Sequence, residues 1–400
     1  MKLVLFAHTP PPHHGQSYMV ELLLQQFATQ TVSDERSIEV LHVNARLSAD
    51  VSEIGKGNWR KLARAVRYIA EAVGHRLRGA RVFFYIPAPG LRAALYRDWL
   101  IIGSCRLLFP TRVYYWQAAG LSDWLCQEAR PWERWLSNRL LRKPALSIVL
   151  GEFNRRDAEW AGSQRTVVIP NGIPDPCPKF EKTLEPVRRQ RAHSRQQLWA
   201  DERTGNATEE RVYRLLFIGL CLREKGLFDA VEAVGNVNRK MAEIQSPLRA
   251  RLEVAGSFFT EAERAEFDRR VAELELKDAV HYHGFVAKES KRQLFERCDC
   301  LIFPTYYLAE SFGIVLIEAM AFGMQIVTTR WRSVPELLPA GYEGIVNPRD
   351  PVALAGAIER AMRSPYDPRL RERFLAQYTI EHHAGRVREA LLGLTAGPSP

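Results

Sequence analysis

Two glutamates eight positions apart, Glu310 and Glu318, offer a pair of carboxylates in a setting that suggests chemistry. Between them lies Ser311-Phe312-Gly313-Ile314-Val315, and before them Cys300-Leu-Ile-Phe-Pro-Thr305, an apolar run ending in Pro that reads as a buried strand leaving a core. Ile314, Ile317, Met320 and Ala321 recur at helical spacing, Ser311 is placed as the N-cap, and Gly323 stands where a helix C-cap belongs. The spacing therefore predicts strand, loop and helix, with one carboxylate in the loop and the other two turns into the helix. At the helix start the N–H groups of Gly313, Ile314 and Val315 would be unpaired donors at the positive end of the dipole, an arrangement that receives a diphosphate. At about 1.5 Å per residue, Glu318 lies roughly 10 Å along the axis from Ser311. A nucleotide-sugar pyrophosphate resting on the helix start would put its sugar near Glu310 and its ribose near Glu318.

The elements that must hold such a segment recur along the chain. Lys2 to Ala7 reads as a strand, followed by a loop stiffened by Pro10, Pro11 and Pro12 that carries His13, His14 and Gly15. A Gly in a strand-to-helix loop lets backbone approach a phosphate closely, although the Gly-x-Gly-x-x-Gly dinucleotide fingerprint is absent. Helices are expected at 18–30, 59–77, 91–108 and 131–141, and strands at 38–43, 81–86, 112–116 and 147–150, with Val167 to Ile173 closing a first domain. Residues 175–211, rich in Pro and Arg, read as a charged linker with one helix around 196–200. A second set then opens with strand Tyr213 to Gly219. It continues through strands at 252–256, 280–283 and 325–329 and helices at 261–274 and 354–362, and ends in one long helix from about 370 to 392. Alternating strands and helices in two sets imply two parallel-sheet domains. His281 and His283 alternate on a strand like a metal pair, but with no third ligand evident they read as structural.

Composition narrows the classes. Four hundred residues that are 46% hydrophobic suffice for two or three cores. No apolar run reaches the roughly 18 residues a membrane span needs, and the strand-like start gives no reason to expect a signal peptide. Six cysteines without a Cys-x-x-Cys pair argue against zinc and a disulfide framework and fit a reduced cytosolic location; Cys298 and Cys300 are expected on opposite faces of a strand. With no Asp-x-Asp motif, no divalent cation is expected. Charge is uneven: residues 1–180 hold 24 Lys and Arg against 15 Asp and Glu, a net of +9 out of +10 for the whole chain. A basic half suits a nucleic acid, an anionic membrane or a phosphorylated acceptor. Arg-rich helices at 59–78 and 134–142, with Trp59, Trp132 and Trp135 among them, favour the membrane; an Arg-rich soluble surface is the plain alternative.

Glu310-x7-Glu318 with Ser-Phe-Gly inside, closed by Glu318-Ala-Met-Ala-Phe-Gly323, resembles the retaining glycosyltransferases of family 4. Their fold is GT-B, an α/β architecture of two Rossmann-like domains facing a cleft. The resemblance covers most of residues 1–390 and is specific in the second half. It implies an acceptor domain over 1–175, a linker over 176–211, a nucleotide-sugar domain over 212–370, and a last helix, 371–400, returning to the first domain. Gly219-Leu-Cys-Leu-Arg223-Glu-Lys225-Gly226 resembles the family's phosphate-binding loop. Lys225 and Glu310 are then the catalytic pair, while Phe285 and Val286, after Gly284, cradle the base. Gly15, Gly219, Arg223, Phe312, Gly313, Ile314, Val315 and Glu318 complete the donor site.

Departures from the family pattern are informative. Its Arg after the first Gly is Leu220 here, leaving Arg223 or Arg332 to supply the charge, and its His in a His-x-x-Gly turn is Gln117, which can bond a sugar hydroxyl but carries no proton. Gln117, His13 and His14 are assigned to the acceptor side. The resemblance implies cofactor-free transfer from a nucleotide diphosphate sugar to a carbohydrate or polyprenyl-diphosphate-linked acceptor in cell-envelope polysaccharide assembly. Such an enzyme would work in the cytoplasm or on the inner membrane face and would not bind nucleic acid. Two alternatives stay open: a nucleotide-sugar epimerase of the same fold, and a non-catalytic sugar-nucleotide-binding subunit, the latter suggested by Leu220 and Gln117.

Overall fold

The computed structural model describes residues 1–11, 15–30, 37–46, 59–200 and 211–394, so His13 and His14 lie outside the described residues. The chain forms two compact units, one of Met1–Pro174 together with the chain from Gln377 onward, the other of Asp175–Ala376.

The first unit runs β1 (Lys2–Ala7), α1 (Gly15–Gln30), β2 (Glu39–Asn44), α2 (Trp59–Leu77), β3 (Val82–Tyr85), α3 (Arg92–Cys105), β4 (Thr111–Trp116), α4 (Leu121–Gln127), α5 (Pro131–Leu140), β5 (Leu146–Val149), α6 (Arg155–Trp160) and β6 (Arg165–Val168). The strands form one parallel sheet in the order β2-β1-β3-β4-β5-β6. Leu3, Val4, Leu5 and Phe6 are all buried, as a parallel strand covered on both faces requires. Phe83, Tyr85, Phe109, Tyr114 and Trp116 supply an aromatic core. Gly15 is the first residue of α1 rather than part of the preceding loop.

The second unit begins with α7 (Phe180–Thr183) and α8 (Glu185–Ala200), where a linker with a single short helix was expected. Arg188 explains the packing of α8: its buried guanidinium donates to the carbonyls of Phe322 (2.6 Å), Phe295 (2.7 Å) and Cys298 (2.8 Å). Next come β7 (Val212–Ile218), α9 (Leu227–Glu243), β8 (Arg249–Ala255), α10 (Glu261–Glu273), β9 (Val280–Tyr282), α11 (Lys288–Arg297), β10 (Cys300–Phe303), α12 (Ile314–Ala321), β11 (Gln325–Thr329), α13 (Val334–Leu337), β12 (Ile345–Val346), α14 (Pro351–Arg363) and α15 (Arg369–Gln377). The sheet is again parallel, in the order β12-β11-β10-β7-β8-β9. Cys298 is not on a strand facing away from Cys300; it caps α11, and both thiols are buried.

The single helix expected over 370–392 is two, α15 and α16 (Ile380–Leu392). The break lies at Tyr378–Thr379, where Ile173 N–H bonds Tyr378 O and Ile380 N–H bonds Ile173 O, both at 2.9 Å. Thr379 then caps α16 by accepting from His382 N–H.

Candidate functional site

In the second sheet the chain winds from β7 outward through β8 and β9, then crosses back to lay β10 on the other side of β7. Such a switch point leaves a crevice at the carboxyl ends of the two diverging strands, where open α/β sheets bind ligands. The loops that leave β7 and β10 are those carrying Lys225 and Glu310.

Glycine fixes this crevice at two levels. Gly226 has φ 79° and ends the one-turn helix Arg223–Lys225; a Cβ there would lie 2.2 Å from Pro304 O, so only glycine lets this loop close on the end of β10. Tyr306 N–H reaches Glu224 O at 2.8 Å and ties the same two loops together. At the ends of β7 and β8, a Cβ on Gly256 would meet Gly219 O at 1.7 Å, and Gly256 N–H bonds Gly284 O at 2.8 Å. Gly219, Gly256 and Gly284 therefore form a floor without side chains.

Lys225 Nζ lies 2.5 Å from Glu310 Oε2, and the two side chains are only 17% and 10% exposed. The ammonium also stands 4.9 Å from the Tyr307 ring centroid and 5.7 Å from that of Phe303, close enough for cation–π attraction. Beyond Glu310, α12 opens at Ile314 with Gly313 (φ 77°) as N-cap. Ser311, expected in that role, is buried, and its carbonyl accepts from Ser333 Oγ. Leu316 N–H is taken by Gly313 O at 2.9 Å; those of Ile314 and Val315 have no acceptor within the helix. At its other end, Met324 N–H bonds Ala319 O and Gly323 N–H bonds Met320 O, with Gly323 left-handed at φ 58°. That is the Schellman arrangement the glycine promised.

Glu318 is paired too. Lys291 Nζ of α11 lies 2.6 Å from Glu318 Oε1, the side chains 33% and 16% exposed. Sequence reasoning missed both Lys291 and Tyr307. The available signal was a lysine in the first turns of α11, where a helix dipole disfavours positive charge.

The remaining candidates are placed as follows. Arg223 bonds Glu266 of α10, and its guanidinium lies 4.5 Å from the Phe228 ring. Arg332 adopts φ 48° beside Trp331. Behind the Lys225 loop, burial pushes the Asp229 carboxyl up to about 6, with Glu232 adding to the shift. Phe285 is 73% exposed, and it and Val286 border a groove of about 720 Å³ that also takes in His283, Ser290, Leu294 and Arg297. His283 Nε2 pairs with the buried Glu253 carboxylate at 2.6 Å, and no group of metal-ligating side chains occurs among the described residues.

In the first unit, Gln117 is buried against Asn171, each amide donating to the other at 3.0 and 3.2 Å. Tyr115 OH lies 3.0 Å from both Asn171 Oδ1 and His383 Nε2, and His383 Nδ1 is 2.7 Å from Pro170 O. Burial lowers the His383 pKa to about 4.

Comparison with known proteins bears on this geometry. Residues 200–378 match the family model described as glycosyl transferases group 1. An uncharacterized glycosyltransferase of Methanocaldococcus jannaschii is 28% identical over 149 residues, 37% of this chain and 35% of the relative. A glycogen synthase of Mycobacterium tuberculosis is 28% identical over 164 residues, 41% of this chain and 37% of the relative. The chain thus spans about a third of the length of these curated relatives. Among solved structures, the Anabaena protein HepE in complex with UDP and glucose superposes with TM-score 0.65 at 17% identity, covering 98% of this chain and 100% of that one. Likeness at that identity establishes the fold, which is GT-B. Over residues 200–378 the sequence is similar to the glycosyl transferases group 1 family.

Proposed function

We propose that the chain is a retaining glycosyltransferase that moves a hexose from a nucleoside diphosphate sugar to a carbohydrate or lipid-diphosphate-linked acceptor. The observation that carries this reading is the Lys225–Glu310 pair at the switch point beside the open start of α12. The diphosphate rests on the Ile314 and Val315 N–H groups with Lys225 against its sugar-side phosphate, Glu310 accepts from sugar hydroxyls, and Glu318 from ribose hydroxyls. Phe285 and Val286 present backbone to the base. Lys225 and the N–H groups then stabilise the charge that develops on the departing diphosphate, the place where fixed dipoles help most. These groups supply the positive charge without a metal ion. Glu310 and Glu318 serve as ligands to hydroxyls, not as the two acids that flank one bond in glycoside hydrolysis. UDP is the first nucleotide to try, since HepE is described in complex with it.

The test is calorimetry with UDP, followed by donor turnover with and without acceptor. UDP binding with donor consumed only when an acceptor is present supports the reading. Isomerised donor without acceptor means an epimerase, and tight UDP binding with no turnover toward any acceptor means a binding subunit.

An acceptor at an anionic membrane fits the first unit. No helix among the described residues is long and apolar enough to cross a bilayer, but Trp132 (48%), Trp135 (65%), Leu107 (87%) and Leu77 (83%) are exposed. Arg76 Nε bonds Leu108 O at 2.7 Å and Arg106 bonds the Arg139 carbonyl, which ties the ends of α2, α3 and α5 together. Aromatic side chains set among arginines suit a headgroup layer, at about 1 kcal/mol per basic residue near an anionic surface. This reading places the enzyme on the inner membrane face in cell-envelope polysaccharide assembly. Co-sedimentation with phosphatidylglycerol vesicles that fades with salt supports it; no binding at low salt leaves a soluble acceptor.

A further inference from the structure

We infer that Lys291 is a positioning residue for the nucleotide, acting through Glu318. The inference rests on the donor-site reading above and adds a residue which that reading does not use. Glu310 stands in the loop before α12 and Glu318 in the second turn of that helix, and each carries its own lysine: Lys225 Nζ at 2.5 Å and Lys291 Nζ at 2.6 Å. Without these partners, two poorly solvated carboxylates would face the place where a diphosphate must settle, and like charges repel most where water is scarce. With them, the site is close to neutral before the ligand arrives, and the helix N–H groups meet the phosphates unopposed.

Local energetics do not account for a lysine at this position. Lys291 is the fourth residue of α11, where the dipole disfavours a cation, and it forgoes the solvated face of the helix. It leans toward α12 instead, with its ammonium 5.8 Å from the ring of the buried Phe295. Its bond to Oε1 holds the Glu318 carboxylate in one orientation and leaves Oε2 to accept from a ribose hydroxyl. Removing Lys291 would therefore release the carboxylate to rotate and restore its negative charge beside the diphosphate. A tie that merely joined α11 to α12 would do neither.

A double-mutant cycle on the full chain, read by UDP calorimetry, separates these roles. Lys291→Met in the wild-type background is expected to weaken UDP binding about ten-fold, whereas Lys291→Arg keeps affinity within about three-fold of wild type. In a Glu318→Ala background, Lys291→Met is expected to change UDP affinity less than two-fold, because the group through which it acts is gone. An equal loss in both backgrounds, or no loss in either, overturns the inference. A fall in ligand-free melting temperature with UDP affinity intact means that the pair is only a structural tie, and overturns it as well. If the wild-type protein binds neither UDP nor any other nucleoside diphosphate, the donor-site reading itself has failed.

Discussion

At the ends of β4 and β6 in the first unit, Tyr115, Gln117, Asn171 and His383 close on one another as a buried, neutral hydrogen-bonded group. At the ends of β7 and β10 in the second, two Lys–Glu pairs stand beside glycine backbone and the open start of a helix. Both sheets are six-stranded and parallel, but β7 and β10 flank the point where the strand order reverses, whereas in the first sheet that reversal falls between β1 and β3 and not at β4 or β6. Mutual satisfaction of neutral groups leaves little to offer a ligand, and each such bond contributes about 1 kcal/mol to the fold. On the donor-site proposal, charge held at a switch point beside the N–H groups of a helix start is arranged for a partner that is not protein. Polarity at a strand end is therefore a poor guide to a site until one asks whether its bonds are already spent.

The sharpest way to break that comparison is Lys225→Ala. Transfer should fall roughly a hundred- to a thousand-fold, as when one donor to a developing negative charge is removed, and UDP affinity should drop far more than uridine affinity. Equal losses for both ligands would mean a folding defect and would erase the distinction drawn between the units. Glu318→Ala should weaken UDP binding about ten- to a hundred-fold, the effect of losing bonds to a charged acceptor; unchanged calorimetry would remove Glu318 from the site.

In the first unit, disruption should register in stability instead. Asn171→Ala leaves Gln117 and Tyr115 short of a partner and should cost about 1–3 kcal/mol in urea unfolding while UDP affinity stays put. His383 gives the pH counterpart. Its folded pKa of about 4 lies below the 6.5 of a free imidazole, so the unfolded chain binds the extra proton first. The stability this residue contributes is full above pH 6.5 and is lost as pH falls toward 4. His383→Gln should flatten the melting profile over that window. The smallest effect belongs to Asp229, whose carboxyl is raised from 3.8 to about 6 by burial. Its sign is opposite: stability is lost as pH rises through 6. Asp229→Asn should raise the melting temperature slightly at pH 8 and hardly at all at pH 4, where the folded protein already holds this carboxyl protonated.

Much of this was readable from residue types. Buried parallel strands announce themselves as unbroken apolar runs such as Leu-Val-Leu-Phe in β1, and Glu310 in the loop and Gly323 past the helix end fell where spacing put them, while Glu318 is the fifth residue of α12 and not two turns into it. What escaped had a common cause, which is that the energy lies in tertiary partners. The Glu-Pro-Val-Arg-Arg-Gln-Arg run of α8 looks solvated until three carbonyls are found around Arg188. Lys288-Glu-Ser-Lys291-Arg looks like an ordinary polar helix face, and its one oddity, cations in a first turn, does not say that Lys291 reaches across to α12. Ser311 has every local credential of a cap, but its burial against Ser333 moved the helix start two residues on, to Gly313.

Arg371 reaches back to Asp175 with two nitrogens, each 2.8 Å from a carboxylate oxygen, and its side chain is 5% exposed. Asp175 is the first residue of the second unit and Arg371 lies in its last helix. The segment 175–376 is thus a cassette inserted into the other chain fold, its entry and exit fastened by one bidentate clasp. Cut at those points it keeps Arg188 and the clasp, and its ends lie close enough to be rejoined by a short linker. A fragment started at Val212, where the first strand of the unit begins, would discard both.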